Sequence, residues 1–86
     1  MKPVRWSSHA KRMLPKREVE QGEAEQTMAN PGDVLPAEPS RIIYQRVYYD
    51  NMLGQDMLLR LVVEEAEEER VVVTVYRTSR LEKYRR

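Results

Sequence analysis

The stretch from Met57 to Tyr76 constrains the fold most, because apolar residues occupy every second position on both sides of an acidic break. Met57 to Glu64 alternates, Val71 to Tyr76 is β-branched almost throughout, and the run around Ala66 to Glu69 marks a solvated turn. A period of two sends successive side chains to opposite faces of a strand, so this stretch predicts an antiparallel hairpin with one apolar face. Folding about the acidic turn pairs Val63 with Val71, Leu61 with Val73 and Leu59 with Val75, and those six side chains make a wholly apolar face. The reverse face carries Leu58, Arg60, Val62, Val72, Thr74 and Tyr76. A one-residue slip would exchange the two faces, and helices laid on the second would bury Arg60. Helices therefore belong on the first face.

The remaining elements follow from local signals. Arg41 to Tyr49, rich in Ile, Val and Tyr, reads as the preceding strand, with Asp50-Asn51 and Gly54 as its turn. Gln45 interrupts one alternating set of that strand and Arg46 the other, so its facing stays open. Asp33 to Ser40, punctuated by Pro36 and Pro39, is an extended connector with room for a short edge strand at Val34-Leu35. Nearer the N-terminus, Val4-Arg5-Trp6 is extended, and Ser7 or Ser8 can cap a helix running roughly from Ser8 to Leu14, where Pro15 should end it. A second helix is expected over Val19 to Ala29, stopped by Asn30-Pro31-Gly32. The expected fold is one α+β domain over residues 1–86, with two short N-terminal helices packed on one face of a three- to four-stranded antiparallel β-sheet.

Eighty-six residues support one core and not two, and the absence of cysteine leaves packing as its source of stability. That composition suits a reducing cytoplasm, and no signal peptide or membrane segment is expected. The formal net charge of +1 conceals a strong separation. Lys2, Arg5, Lys11, Arg12, Lys16 and Arg17 precede the first acid, Arg77 to Arg86 is again mostly basic, and Glu64, Glu65, Glu67, Glu68 and Glu69 concentrate the negative charge. Such segregation predicts a local anion-binding surface, with the basic helix and basic tail on one side and the acidic turn pointing away.

His9, the only histidine, stands three residues before Arg12, so the two share a helix face. The pair on its own reads first as an ordinary polar helix face; functionally it suits a phosphodiester reaction, with imidazole as proton carrier and guanidinium as charge stabiliser. The tail from Tyr76 to Arg86 interleaves cations, hydroxyls and aromatics, a composition that fits single-stranded RNA or a tail docked on the chain's own acidic turn. Trp6, Tyr44, Tyr48 and Tyr49 read as packing residues before stacking platforms. One histidine, no cysteine and carboxylates without convergent spacing leave no metal set, and no phosphate-cradling glycine loop or other cofactor motif is present.

Trp6-Ser7-Ser8-His9-Ala10-Lys11-Arg12-Met13, Met28-Ala29-Asn30-Pro31 and the closing segment from Val71 to Arg86 resemble, in that order, the small bacterial proteins grouped as domain of unknown function 4258. Proteins of that group are similar in layout to the RelE and BrnT toxins, in which helices precede an antiparallel sheet whose face cuts RNA without metal. The resemblance implies a toxin-like ribonuclease with His9, Arg12, Arg77, Arg80 and Tyr84 as catalytic residues; Lys11, Arg60 and Lys83 are the further cations expected to contact RNA. It implies RNA and a small neutralising antitoxin protein as partners. The alternative is a non-catalytic module that binds RNA or protein through the same basic surface.

Overall fold

Alternation and β-branching draw nearly half of the chain into a single sheet. In the computed structural model, which describes residues 2–84, β1 (Val4–Trp6), β2 (Asp33–Ala37), β3 (Arg41–Asp50), β4 (Gln55–Glu65) and β5 (Arg70–Thr78) lie in the order β1-β5-β4-β3-β2. Three helices accompany them, α1 (Ser8–Lys16), α2 (Gln21–Ala29) and a short α3 (Leu81–Tyr84). Arg85 and Arg86 of the basic tail, and Met1, lie outside the described residues. No helix among the described residues is long and apolar enough to cross a membrane.

The fold class is α+β, but the sheet corrects the expected three- to four-stranded antiparallel one: it has five strands and is mixed. β2 to β5 run antiparallel to their neighbours, whereas β1 joins the edge of β5 in parallel, Trp6 opposite Val72. Three residues are too few to show a period of two, and a parallel partner so distant in sequence leaves no local turn signal.

The β4–β5 register also departs from expectation. Leu61 stands opposite Val75 and Leu59 opposite Arg77, while Val63 stands opposite Val72. A bulge between Val62 and Val63 absorbs the difference, leaving Val73 without an opposite residue. Leu59, Leu61, Val63 and Val75 are buried as predicted; Val72 replaces Val71 and Val73, which stay half-buried. Ser7 occupies the bulge: its amide donates to the Val72 carbonyl at 3.0 Å and its hydroxyl to the Val73 carbonyl at 3.2 Å.

The same Ser7 hydroxyl accepts from the Ala10 amide at 3.0 Å, which caps α1. α1 runs past Leu14 to Lys16, because Pro15 sits in its last turn, where a missing amide forfeits a single bond to an exposed residue. Backbone bonds from Arg17 to Met13 and from Val19 to Leu14, each 2.8 Å, close that end. Glu18 turns the chain in a left-handed conformation with φ of 56°, and α2 begins at Gln21 rather than Val19. Ala10, Met13 and Leu14 of α1, then Val19, then Ala24 and Met28 of α2 pack on Leu59, Leu61, Val63, Val72 and Val75. The pairing of Ile42, Tyr44 and Arg46 with Val63, Leu61 and Leu59 settles the facing of β3: this set faces the helices, Arg46 reaching Glu23 at 2.8 Å, and Gln45 takes the other face.

Candidate functional site

The face turned away from α1 and α2 carries one buried cation. Arg60 lies opposite Gln45 on β3 and Tyr76 on β5, all on the side that alternates away from Leu59 and Leu61. Its Nε donates to Gln45 Oε1 at 2.9 Å and its Nη1 to the Tyr76 hydroxyl at 2.6 Å. The Gln45 amide donates in turn to Asp33 at 3.4 Å. After β5 the chain doubles back as α3 and lays the Tyr84 ring 4.2 Å from the Arg60 guanidinium, with the Tyr76 ring at 5.7 Å. Lys83 approaches the same Tyr84 ring at 5.4 Å.

Arg60 is only 8% exposed and makes no ion pair among the described residues. Its side-chain partners are an amide and a phenol, both neutral. Taking a guanidinium out of water without an anion costs several kcal/mol in rough terms, so this is where the protein's own electrostatics leave a negative charge wanting. No buried side-chain nitrogen or oxygen among the described residues lacks a hydrogen-bond partner.

The residues singled out from sequence divide among three places. Arg60, Lys83 and Tyr84 come together on the open face, joined by Tyr76, which the sequence placed both in the basic tail and on the same hairpin face as Arg60. Arg80 follows β5, exposed, its amide donating to the Thr78 hydroxyl at 3.0 Å. Arg77 stands opposite Leu59 and so takes the helix side. There it donates to Asp50 at 2.6 Å and lies 3.6 Å from Glu18, with both Arg77 and Asp50 side chains 13% exposed. Its charge is already met. The Leu53 amide, together with Arg77 and the Met52 amide, holds the Asp50 carboxyl below the usual carboxylate range against the opposing effect of burial.

His9, Lys11 and Arg12 are exposed on the outer side of α1, whose inner residues pack on the helix face of the sheet. The sheet therefore stands between His9 with Arg12 and Tyr84 with Arg60. The expected single basic side, with the acidic turn pointing away, gives way to a different sorting. Glu65 holds Lys2 at 2.7 Å and Arg70 at 3.2 Å, and Glu69 holds Arg5 at 3.1 Å, so the acidic turn consumes the N-terminal arm. No three His, Asp or Glu side chains among the described residues are placed to share a metal ion.

A family model described as domain of unknown function (DUF4258) matches residues 6–77. The match takes in His9, Arg12, Gln45, Arg60, Tyr76 and Arg77 and ends before α3. Comparison with curated proteins and with solved structures found no match.

Proposed function

The chain belongs to the DUF4258 family, and from that premise we propose that it is a binding module for single-stranded RNA, held on the open sheet face around Arg60. The observation that carries this reading is the buried Arg60 guanidinium, stacked beneath Tyr84 and lacking a carboxylate partner among the described residues. A phosphate supplies the missing charge, and phenol rings beside it offer stacking to any base, which is how sequence-tolerant single-strand binding works. Arg80 and Lys83 add exposed cations beside it. Binding without cleavage is favoured because metal-free cleavage needs proton carriers at the phosphate, and the one imidazole lies across the sheet.

The RelE/BrnT-like reading, a ribonuclease toxin neutralised by a small antitoxin, retains one supporting observation. The Tyr76 hydroxyl sits 2.6 Å from Arg60, a phenol held beside a cation where a phosphate would bind, and phenols serve as general acids or bases. Binding and turnover measured on one end-labelled RNA separate the readings. We expect salt-dependent binding that Arg60→Met weakens at least about tenfold and His9→Ala leaves intact, with no cleavage. Cleavage by the wild type that Tyr76→Phe removes would replace the binding module with the toxin, and undiminished binding by Arg60→Met would refute the site.

A further inference from the structure

Arg60 carries a full charge, yet it is only 8% exposed, and what covers it is the last described element of the chain. Past β5, Ser79 and Arg80 turn the chain back over the open face, and α3 sets the Tyr84 ring 4.2 Å from the guanidinium. We propose that α3 is a displaceable lid on the phosphate site: Tyr84 covers Arg60 in the free protein, and a phosphate ester reaches the guanidinium only by lifting it. The proposal rests on Arg60 being that phosphate site.

Little else fixes α3. Its four residues make a single turn, far below the length at which a helix holds in water by itself, so it stays in place only through what it touches. None of the four is buried: Leu81 and Tyr84 are half-buried, and Glu82 and Lys83 are exposed. Glu82 and Lys83 form no ion pair among the described residues. The Arg80 amide donates to the Thr78 hydroxyl and the Leu81 amide to the Ser79 carbonyl, each at 3.0 Å, and Lys83 lies over the ring of its own neighbour Tyr84. All three contacts are local, and none ties α3 to the strands beneath it.

The covering contact is one that a phosphate can replace. A phenol ring offers the cation its quadrupole and no net charge, whereas a phosphate oxygen offers an anion and charge-assisted hydrogen bonds, the stronger partner for a guanidinium. Nε and Nη1 stay engaged with Gln45 and Tyr76, which hold the guanidinium in place while the lid moves. Opening is therefore set against a single aromatic contact, and the fraction of molecules standing open scales the apparent affinity for phosphate. A cation over an aromatic ring holds such an equilibrium about two- to thirtyfold toward the closed form.

The experiment compares the full chain with Tyr84→Ala and Tyr84→Phe, and its probe is inorganic phosphate, which carries no base for Tyr84 to stack on. Two quantities are read: the rate at which the arginine reagent phenylglyoxal modifies Arg60, mapped by mass spectrometry, and the phosphate affinity that Arg60→Met removes, followed by phosphorus NMR. We expect Tyr84→Ala to raise both by about two- to thirtyfold and Tyr84→Phe, which keeps the ring, to match the wild type. Arg77, whose side chain is 13% exposed on the other face, should react no faster in either variant. Unchanged values in Tyr84→Ala would overturn the lid, as would equal acceleration at Arg77, which would mean general loosening. A lower phosphate affinity in Tyr84→Ala would make Tyr84 part of the phosphate site and not its cover. Failure of the RNA reading looks different: Arg60 reacts faster in Tyr84→Ala, yet no protein shows Arg60-dependent phosphate binding, and the lid falls with the reading because it has nothing to admit.

Discussion

Arg60→Met separates a functional arginine from a structural one, because the terms it changes oppose each other. The substitution removes hydrogen bonds of 2.9 and 2.6 Å to Gln45 and Tyr76 and the stacking on Tyr84 at 4.2 Å. Bonds from a charged donor contribute about 1.5 to 3 kcal/mol each, and a cation over an aromatic ring roughly 0.5 to 2. Against these stands the penalty of keeping an unpaired guanidinium out of water, several kcal/mol in order of magnitude, which methionine lifts while preserving most of the packed stem. Gln45 is 1% exposed, and its orphaned carbonyl returns about 1 to 3 kcal/mol of that gain. Stability should therefore move by less than about 2 kcal/mol, read as a shift in urea midpoint at unchanged slope. RNA affinity should fall at least about tenfold, or ~1.4 kcal/mol, and the salt slope should decrease by about 0.7 for the lost phosphate contact. A loss of stability above about 3 kcal/mol with RNA affinity unchanged would show that Arg60 serves the fold and would sink the argument.

One position along, on the opposite face, Leu61 is fully buried, so Leu61→Ala should cost about 2 to 5 kcal/mol by denaturant unfolding. For a chain of 86 residues that is a large share of a total expected at roughly 4 to 13 kcal/mol, and a cost below about 1 would mean that the core is not where the structure places it. Acid should act through Asp50, whose folded pKa is lowered: its stabilisation is present above the unfolded value near about 4 and fades as pH falls through the folded one. Asn keeps an acceptor for the Met52 and Leu53 amides but gives up the charge facing Arg77, so Asp50→Asn should be less stable at neutral pH and lose less on acidification. Parallel losses in the two proteins would exclude Asp50 as a source of the acid transition.

The hairpins were legible because strand alternation and turn chemistry are local. Gly54 adopts φ of 66°, and the Asp50 side chain accepts from Met52 and Leu53, so the residues that marked the first turn are those that build it. The bulge at Val73 was not legible. Both registers give an apolar face, and what selects the observed one is Ser7, more than sixty positions away, bonding the carbonyls on either side of the irregularity. β1 was read as extended and its pairing missed for the same reason. A parallel strand added at an edge leaves its signature in distant backbone bonds, such as Arg70 to Pro3 at 2.9 Å, and not in its own three residues.

The site was less legible than the fold because charge in sequence says nothing about which charges are met. Counting cations placed Arg77 and Arg80 beside Tyr84 in one tail, yet Arg77 points into the helix side, where Asp50 and Glu18 neutralise it, and Tyr84 folds over the other face. Likewise Lys2 and Arg5 looked continuous with α1 until the acidic turn took them. Subtracting the paired cations leaves two unneutralised surfaces with a hydrophobic layer between them. One is Arg60 with Tyr84, where the unmet charge is buried and flanked by aromatics; the other is α1, where Lys11, Arg12 and Lys16 are exposed. A buried cation with aromatic neighbours selects for a phosphate with bases attached. Because the core of Leu59, Leu61 and Val75 separates the surfaces, occupation of one does not obstruct the other, and His9, on the α1 side, lies across the sheet from the proposed phosphate site.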